Sequence, residues 1–367
     1  MRFRTRALML TWAPYSGRSE GLAQHLGIEN YFIHYLAFQR PWIAPAKYPL
    51  QAAATLRILL RGRPATILVQ NPPPVAPLLA SLYCAVTGAG LIVDSHSQVL
   101  LVRRWRWTLP LQRWLVRRAL TTVVTNEHLA DIIRGWNAPV LVAGDPPIAV
   151  PPLGPRQPPE EFSVVCVCTY GDDEPIGEVL AAARLLPDVR FAFTGNTKYA
   201  RPEWLADPPP NVEFTGFVPM DEYYRRIHNA SALVVLTTLD HTVLRGAWEA
   251  LALGQPLITS DWGILRDYFS PGALFVDNSP AGIAAAIRDA RADEATLRQK
   301  MAETRETRRR AWQEAQAYLE GLIDGVWARA PKAAALAGQS DAETGLASAG
   351  EGHARPGAAP RVEADAR

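Results

Sequence analysis

The sequence predicts an α/β protein made of two Rossmann-like, doubly wound domains that face a cleft. With 367 residues, the chain is long enough for two domains of about 150 residues each. Short apolar runs alternate with helical segments in both halves, which is typical of parallel sheets covered by helices. The halves are separated by the proline-rich stretch DPPIAVPPLGPRQPPEE, where neither a helix nor a strand can continue.

The first domain is predicted over residues 1–155. Its strands are five apolar runs with helical segments between them, in order ALMLTW, ATILVQ, GLIVDS, TTVVT and PVLVAG. The apolar run at the amino terminus follows several arginines, but it is short and ends at Pro14 without a small-residue cleavage site. We therefore expect a first strand there rather than a targeting signal.

The charge-free stretch from Pro64 to Val93 is long enough, on length alone, to span a bilayer. Three consecutive prolines and the sequence GAG divide it into a strand, a helix and a second strand. A buried βαβ unit fits better than a membrane span, because parallel strands covered on both faces read as continuous apolar runs.

The linker is expected at about residues 145–161 and the second domain at residues 162–328. Six further apolar runs predict its strands: FSVVCVCT, VRFAFTG, VEFTGFV, ALVVLTT, PLITS and ALFVD. Residues 293–327 predict a long charged helix with arginine and glutamate interleaved on solvated faces. The tail, residues 329–367, has no periodicity and is expected to be disordered.

Composition excludes several classes of function. The formal net charge of +2 creates no global field that would attract nucleic acid, so no nucleic-acid partner is expected. The three cysteines are an odd number without paired spacing, which argues for a reduced, cytoplasmic compartment and for Cys166 and Cys168 as core thiols. No Asp-x-Asp triplet follows a predicted strand, so we expect neither a metal nor a cofactor.

The most informative segment is LVVLTTLDHTVLRGAWEALALGQPLITS. A strand leads into a polar loop and then into a helix that we expect to begin after a Thr242 cap and to end at Gly254. At helical spacing His241, Arg245 and Glu249 share one face. A carboxylate there can accept both hydroxyls of a ribose, while the helix amino terminus offers NH groups to a diphosphate. The alternative is an ordinary Arg245–Glu249 pair on a solvated helix.

This segment resembles the GT-B glycosyltransferases of the family 4 type, and the resemblance extends over roughly residues 5–325. In that family a Glu-x7-Glu motif lies on this loop and helix and is followed by a Gly-x-Pro strand, which GQPLITS matches. The resemblance implies a GT-B fold and assigns the donor ribose to Glu249. His241 stands where the family has its first Glu, with Asp240 beside it, and both are candidate donor-binding residues.

The segment VQNPPPVAPLLASLYCAVTGAGLIVDSHS resembles part of the chitobiosyldiphosphodolichol beta-mannosyltransferases, in which a strand ends in Asp-x-His. Asp94 and His96 match that pattern. We hypothesise that His96 contacts the donor sugar or the acceptor hydroxyl, with Asp94 orienting it or acting as the base. A lone histidine at such a place can also be purely structural.

Loops that follow strands supply the other candidates. The resemblance places the loop TYGDDEP against the donor diphosphate, although its acidic residues would repel phosphate unless they point away. The remaining candidates for binding the donor are Tyr170, Gly171, Gly195, Lys198 and Arg266, with Arg245 preferred as the diphosphate partner. The loop PYSGRSEG after the first strand contributes Gly17 and Arg18 on the acceptor side.

Arginine and tryptophan interleave in RRWRWTLPLQRWLVRR, residues 103–118. Such a segment suits a membrane interface, since tryptophan favours headgroup depth and arginine meets anionic phosphates. The alternative is a helix with a solvated basic face, interrupted by Pro110.

Together these patterns predict an enzyme that moves a hexose-type sugar from a nucleotide diphosphate sugar to a glycan or polyprenyl-linked acceptor, in the cytoplasm or at the inner face of the membrane. A catalytically silent GT-B-like partner subunit is the main alternative. An epimerase of the same fold is a third.

Overall fold

The computed structural model describes residues 5–36 and 43–329. The predicted disordered tail lies, apart from residue 329, outside the described residues. The described chain forms two six-stranded sheets in which every strand pair is parallel. The predicted fold class, two Rossmann-like domains of the GT-B type, is thereby confirmed.

The amino-terminal sheet has the strand order β2-β1-β3-β4-β5-β6. Its strands are β1 (Ala7–Thr11), β2 (Glu29–Phe32), β3 (Thr66–Asn71), β4 (Gly90–Ser95), β5 (Thr121–Val124) and β6 (Val140–Val142). The helices around it are α1 (Gly17–His25), α2 (Ala44–Gly62), α3 (Val75–Thr87), α4 (Ser97–Leu101), α5 (Leu109–Val116) and α6 (Glu127–Gly135). Strand β2 and helix α2 were not among the predicted elements.

The carboxy-terminal sheet has the strand order β12-β11-β10-β7-β8-β9. Its strands are β7 (Ser163–Cys166), β8 (Arg190–Thr194), β9 (Val212–Gly216), β10 (Ala232–Val235), β11 (Leu257–Ser260) and β12 (Ala273–Val276). Its helices are α7 (Ile176–Arg184), α8 (Pro202–Ala206), α9 (Met220–Asn229), α10 (Arg245–Leu253), α11 (Gly263–Phe269), α12 (Pro280–Ala292) and α13 (Glu294–Arg329).

The stretch from Pro64 to Val93 folds as the predicted strand, helix and strand. Every residue of β3 and of β4 is buried, as expected for central strands covered on both faces. None of the helices within the described residues combines the length and the apolar character needed to cross a bilayer.

Helix α13 differs from the predicted solvated helix. Its amino-terminal part packs on the carboxy-terminal sheet through Leu297 and Met301. Its later turns enter the core of the amino-terminal sheet, where four of its side chains are buried beside β1, β3 and β4: Trp312, Ala315, Leu319 and Ile323. The domain prediction assigned residues 162–328 to the second domain alone, whereas this helix contributes to both cores.

The two sheets position the loops that carry the candidate site. In the amino-terminal sheet the strand order reverses between β1 and β3, and in the carboxy-terminal sheet it reverses between β7 and β10. Loops at the carboxyl ends of strands beside such a switch point diverge and leave a crevice. Most of the predicted site residues lie at or after the ends of β1, β4, β7 and β10, at these crevices, whereas Gly195 and Lys198 follow β8 and Arg266 lies in α11 after β11.

Candidate active site

A cavity of about 270 Å³ lies in the cleft between the two sheets. Both lobes line it: His96, Gln98, Thr125 and Asp145 from the first, and His241, Thr242, Arg245 and Trp248 from the second. A second groove, of about 1000 Å³, is larger than the cleft cavity. It lies at the other end of the carboxy-terminal sheet, where β7 and β8 begin. Its charged residues include the pairs Arg190–Glu161 and Arg226–Glu213. The candidate chemistry therefore belongs to the smaller, interdomain cavity.

Close contacts join the lobes around this cavity. The Arg245 guanidinium packs so tightly on Gly17 that a Cβ at position 17 would overlap with it. The imidazoles of His128 and His241 stack with their centroids 4.2 Å apart and their planes within 8°. The Tyr268 hydroxyl donates a hydrogen bond to the Thr125 carbonyl. The cleft residues are thus held in a defined arrangement.

Asp94 ends β4 and is held by Arg18, which lies in α1. The Arg18 Nε is 2.9 Å from Asp94 Oδ1, and its Nη1 is 2.8 Å from Asp145 Oδ1. Burial alone would raise the pKa of the Asp94 carboxyl, but Arg18 and His96 outweigh burial and leave the pKa below its ordinary value. Asp94 is 1% exposed. It is therefore an ionised anchor without access to substrate, which favours the orienting role over the base.

His96 stands at the end of this network and faces the cavity. Its Nε2 lies 3.3 Å from Asp94 Oδ2, and its side chain is 28% exposed. Because Asp94 is ionised and only accepts, Nε2 carries the proton in this hydrogen bond. The lone pair is then on Nδ1, so the neutral ring has one atom that can accept a proton.

Glu249 is buried in α10 rather than on a solvated helix face. It is 4% exposed; its Oε2 accepts from the Tyr223 hydroxyl, and its Oε1 lies 3.1 Å from Arg245 Nε. Burial raises the pKa of the Glu249 carboxyl, and these two donors offset only part of that effect. The carboxylate thus lies beneath Arg245, which is the member of the pair that lines the cavity.

The loop before α10 differs from the prediction. The helix begins at Arg245 with Leu244 as its cap, so Thr242 does not cap it and lies in the loop that lines the cavity. His241 is also outside the helix and adopts a left-handed backbone conformation with φ 60°. Its Nε2 lies 3.5 Å from Asp240 Oδ2. Helical spacing therefore holds for Arg245 and Glu249 only, while His241 reaches the cleft through its stack on His128.

In the loop after β7, the Glu174 carboxylate accepts hydrogen bonds from backbone amides of the loop that was expected to bind the donor diphosphate. Glu174 accepts from the backbone N of Thr169 at 2.8 Å and of Gly171 at 2.9 Å. Asp173 accepts from the Thr237 hydroxyl at 2.9 Å, which ties the loop to the end of β10. These two acidic side chains point into the protein. Tyr170 is buried against Phe214.

The other predicted donor residues lie around the same sheet edge. Gly195 has φ 109°, and a Cβ there would overlap with the Cys168 carbonyl, so this turn requires glycine. Lys198 is exposed in the short helical turn after β8. Arg266 pairs with Asp261 at 2.8 Å and lies over the Phe275 ring. Neither cation lines the cleft cavity.

A second cavity, of about 590 Å³, opens in the amino-terminal lobe and shares His96 and Gln98 with the cleft cavity. Its walls include aromatic, amide and cationic side chains: Trp12, Tyr48, Trp105, Gln51, Gln70, Lys47 and Arg104. We call it the amino-lobe cavity. His96 therefore stands where two cavities meet.

Residues 103–118 form a 3₁₀ turn, Arg103–Thr108, followed by α5. Trp107 is 78% exposed at this turn, while Trp114 lies under the Arg118 guanidinium. Arg103, Arg104 and Arg106 are exposed as well. The turn thus presents arginines and one tryptophan to solvent.

Several residues of the site were not predicted from the sequence. Tyr223 and His128 meet their partners only through tertiary contacts. Asp145 is the first residue of the proline-rich stretch that was assigned to the linker. Glu174 was expected to repel phosphate unless it points away, and its binding to the amides of its own loop was not predicted. Within the described ranges, no three His, Cys, Asp or Glu side chains come together to hold a metal ion.

Comparisons with known proteins agree with this architecture. Residues 177–320 match a family model described as "Glycosyl transferase-like". No curated protein sequence matches the chain. The sucrose-phosphate synthase of Thermosynechococcus elongatus is 16% identical, with a TM-score of 0.68 over 89% of this chain and 100% of that one.

The Anabaena protein Alr3699/HepE, solved with UDP and glucose, is 12% identical, with a TM-score of 0.62 over 86% of this chain and 99% of that one. A UDP-N-acetylglucosamine 2-epimerase assigned in Listeria monocytogenes is 9% identical, with a TM-score of 0.59 over 88% of this chain and 97% of that one. At such identities these likenesses show the fold, which is of the GT-B type.

Proposed function

We propose that the protein is a glycosyltransferase that moves a hexose-type sugar from a nucleotide diphosphate sugar to a hydroxyl of a glycan or polyprenyl-linked acceptor. The observation that carries the proposal is the cleft cavity, where His96 from one lobe and Arg245 from the other line the same space. A proton acceptor and a cation in one cavity can deprotonate an acceptor hydroxyl and stabilise a leaving diphosphate.

The donor binds on the carboxy-terminal side of the cleft. Arg245 is charged and 45% exposed, so it can meet the diphosphate. Glu249 then binds the ribose hydroxyls. This requires that its hydrogen bonds to Tyr223 and Arg245 rearrange. In the structure Arg245 and Glu249 neutralise each other; with donor bound, the diphosphate takes the place of the carboxylate beside Arg245.

The diphosphate is not held by the backbone amides of Thr169 and Gly171, because Glu174 accepts from both. The family resemblance assigned the diphosphate to this loop. In this chain the negative charge of the leaving group is instead stabilised by Arg245, which the cleft already exposes. Arg245 was the preferred diphosphate partner on the sequence, and its exposure in the cleft supports that choice.

In the transfer step, the acceptor hydroxyl oxygen forms a bond to the anomeric carbon, and the bond from that carbon to the diphosphate oxygen breaks. The nucleoside diphosphate leaves with the bonding electron pair. His96 Nδ1 accepts the proton of the acceptor hydroxyl. Asp94, held ionised by Arg18, positions the ring and stabilises the imidazolium that forms.

The acceptor enters from the amino-terminal lobe, where the amino-lobe cavity reaches His96. The exposed arginines and Trp107 of residues 103–118 provide contact with an anionic membrane surface, which suits a lipid-linked acceptor. The protein then works at the cytoplasmic side of the membrane.

A catalytically silent partner subunit is the second candidate. It is favoured by one observation: both oxygens of Glu249 are occupied by protein donors. A silent protein would bind a nucleotide or glycan without turning over any donor.

The proposal is tested with a panel of UDP-, GDP- and ADP-sugars, by measuring release of the nucleoside diphosphate with and without acceptors. We expect one donor to be turned over, and we expect His96→Ala to lower the rate by about a hundredfold or more while donor affinity stays within a few fold. Turnover of no donor by the wild-type protein would favour the silent partner. Isomerised nucleotide sugar as the product would indicate an epimerase.

A further inference from the structure

We infer that the acceptor carries a phosphate group, which binds to Arg104 and Lys47 in the amino-lobe cavity while its sugar reaches His96. This inference rests on the proposed function and specifies its acceptor. The shared chemistry is a sugar phosphate, either free or joined through its phosphate to a lipid.

The charges of the cavity point to an anion. Arg104 lies with its guanidinium 5.1 Å from the Trp105 ring centroid, and the Lys47 ammonium lies 5.7 Å from that of Tyr48. Both cations line the cavity, and its described lining residues include neither Asp nor Glu. A neutral sugar does not need two cations, whereas a phosphate forms charge-assisted hydrogen bonds with both.

The walls of the cavity suit a sugar ring. Trp12 and Tyr48 lie with their centroids 5.8 Å apart and an angle of 42° between their planes, so they offer flat apolar surface. Gln51 is 1% exposed, and its Oε1 has no hydrogen-bond partner among the described residues. The indole Nε1 of Trp105 is a buried atom that also has no partner there. A buried acceptor and a buried donor without partners match sugar hydroxyls, which supply both functions.

The position of the cavity connects this recognition to the reaction. His96 and Gln98 line it on the side of the cleft, and Arg104 lines it from the 3₁₀ turn. Its volume of about 590 Å³ is enough for a sugar with a phosphate. The sugar hydroxyl thus meets His96 while the phosphate remains near Arg104. Because this turn also carries the exposed Trp107, a phosphate that continues into a lipid would leave the cavity toward the proposed membrane contact.

The test compares hexose phosphates, the corresponding neutral hexoses and a short-chain prenyl diphosphate sugar. Binding to the wild-type protein is measured by calorimetry without donor, and transfer is measured with the donor that the panel identifies. We expect the phosphorylated compounds to bind and to accept sugar, with neutral hexoses at least tenfold weaker. Arg104→Gln should weaken binding of the phosphorylated compounds by about tenfold and leave binding of neutral hexoses unchanged.

Arg57→Gln is the matched control, because Arg57 is an exposed arginine of α2 that does not line the cavity. It should bind like the wild-type protein. Preference for the free hexose phosphate or for the prenyl compound identifies the source of the phosphate. Donor turnover with equal use of neutral and phosphorylated acceptors would overturn the inference and leave the proposed function intact. Absence of donor turnover would overturn the proposed function itself. Even then, binding of sugar phosphate to the wild-type protein and its loss in Arg104→Gln would establish the phosphate site.

Discussion

At the scale of single residues, the Arg18 side chain determines what the Asp94–His96 pair can do. It pairs with Asp94 and with the partly exposed Asp145, so the buried Asp94 carboxylate is not left without a cation. Asp94 in turn fixes one nitrogen of His96. A histidine held in this way has a defined protonation site and orientation, which is the requirement for a base in the cleft.

Replacing the anchor should destabilise the protein as well as impair the reaction. Asp94→Asn leaves Arg18 with Asp145 alone, and we expect a loss of about 3 kcal/mol in the free energy of unfolding. The folded pKa of Asp94 lies below its unfolded value, so its contribution is present above about pH 4 and is lost as the pH falls through the folded pKa. Urea unfolding at several pH values measures this. Equal stability of the two proteins at neutral pH would contradict the anchoring role.

Some of these residues could be predicted from the sequence and others could not. Asp94 and His96 follow an apolar run within three residues, and Arg245 and Glu249 have helical spacing, so short-range patterns identify them. The partners that decide their roles come from distant segments. Arg18 lies 76 residues from Asp94, and Tyr223 lies 26 residues from Glu249. No local pattern specifies such contacts.

At the scale of elements, turn and loop chemistry departs most from expectation. The helix α10 starts three residues after Thr242, because the backbone is still extended at Leu244, with φ −77° and ψ 146°. The loop after β7 is closed by Glu174, whose carboxylate accepts from the amides of Thr169 and Gly171. Strands that are buried on both faces were predicted because they read as apolar runs, whereas the edge strand β2, which has no buried residue, was missed. Loops depend on individual hydrogen bonds.

The basic turn Arg103–Thr108 carries the membrane proposal. Trp107 is the most exposed tryptophan of this turn, and the three arginines of the turn precede it in the sequence. We expect the protein to sediment with vesicles containing anionic lipid, and Trp107→Ser to reduce the bound fraction several-fold, since the indole favours headgroup depth.

The matched control for this experiment is Trp327→Ser, because Trp327 is a partly exposed tryptophan at the end of α13, outside the basic turn. Neutral vesicles should bind much less protein than anionic ones. If both variants bind vesicles as the wild-type protein does, Trp107 is a solvated residue and the membrane contact lies elsewhere or does not form.

At the scale of the whole molecule, the two sheets are joined both by the chain after β6 and by α13, whose last turns lie in the amino-terminal core. The sequence predicted the two sheets and their order along the chain. It did not predict that α13 packs into the core of the amino-terminal sheet. The apolar residues of this helix that do so, including Trp312 and Leu319, are sparse among its many charged residues. Contacts across the cleft, including Arg245 on Gly17, were equally beyond sequence patterns.

The most direct test of the account is calorimetric binding of UDP, GDP and ADP to the wild-type protein and to Arg245→Gln, Glu249→Gln and Arg225→Gln. Arg225 is an exposed arginine of α9 that pairs with Asp221 away from the cleft, so its variant is the control. We expect one nucleotide to bind the wild type and the control equally, and each cleft variant to bind about tenfold more weakly or worse. Failure of the wild type to bind any of the three, or full binding by both cleft variants, would contradict a nucleotide-sugar site at Arg245 and Glu249.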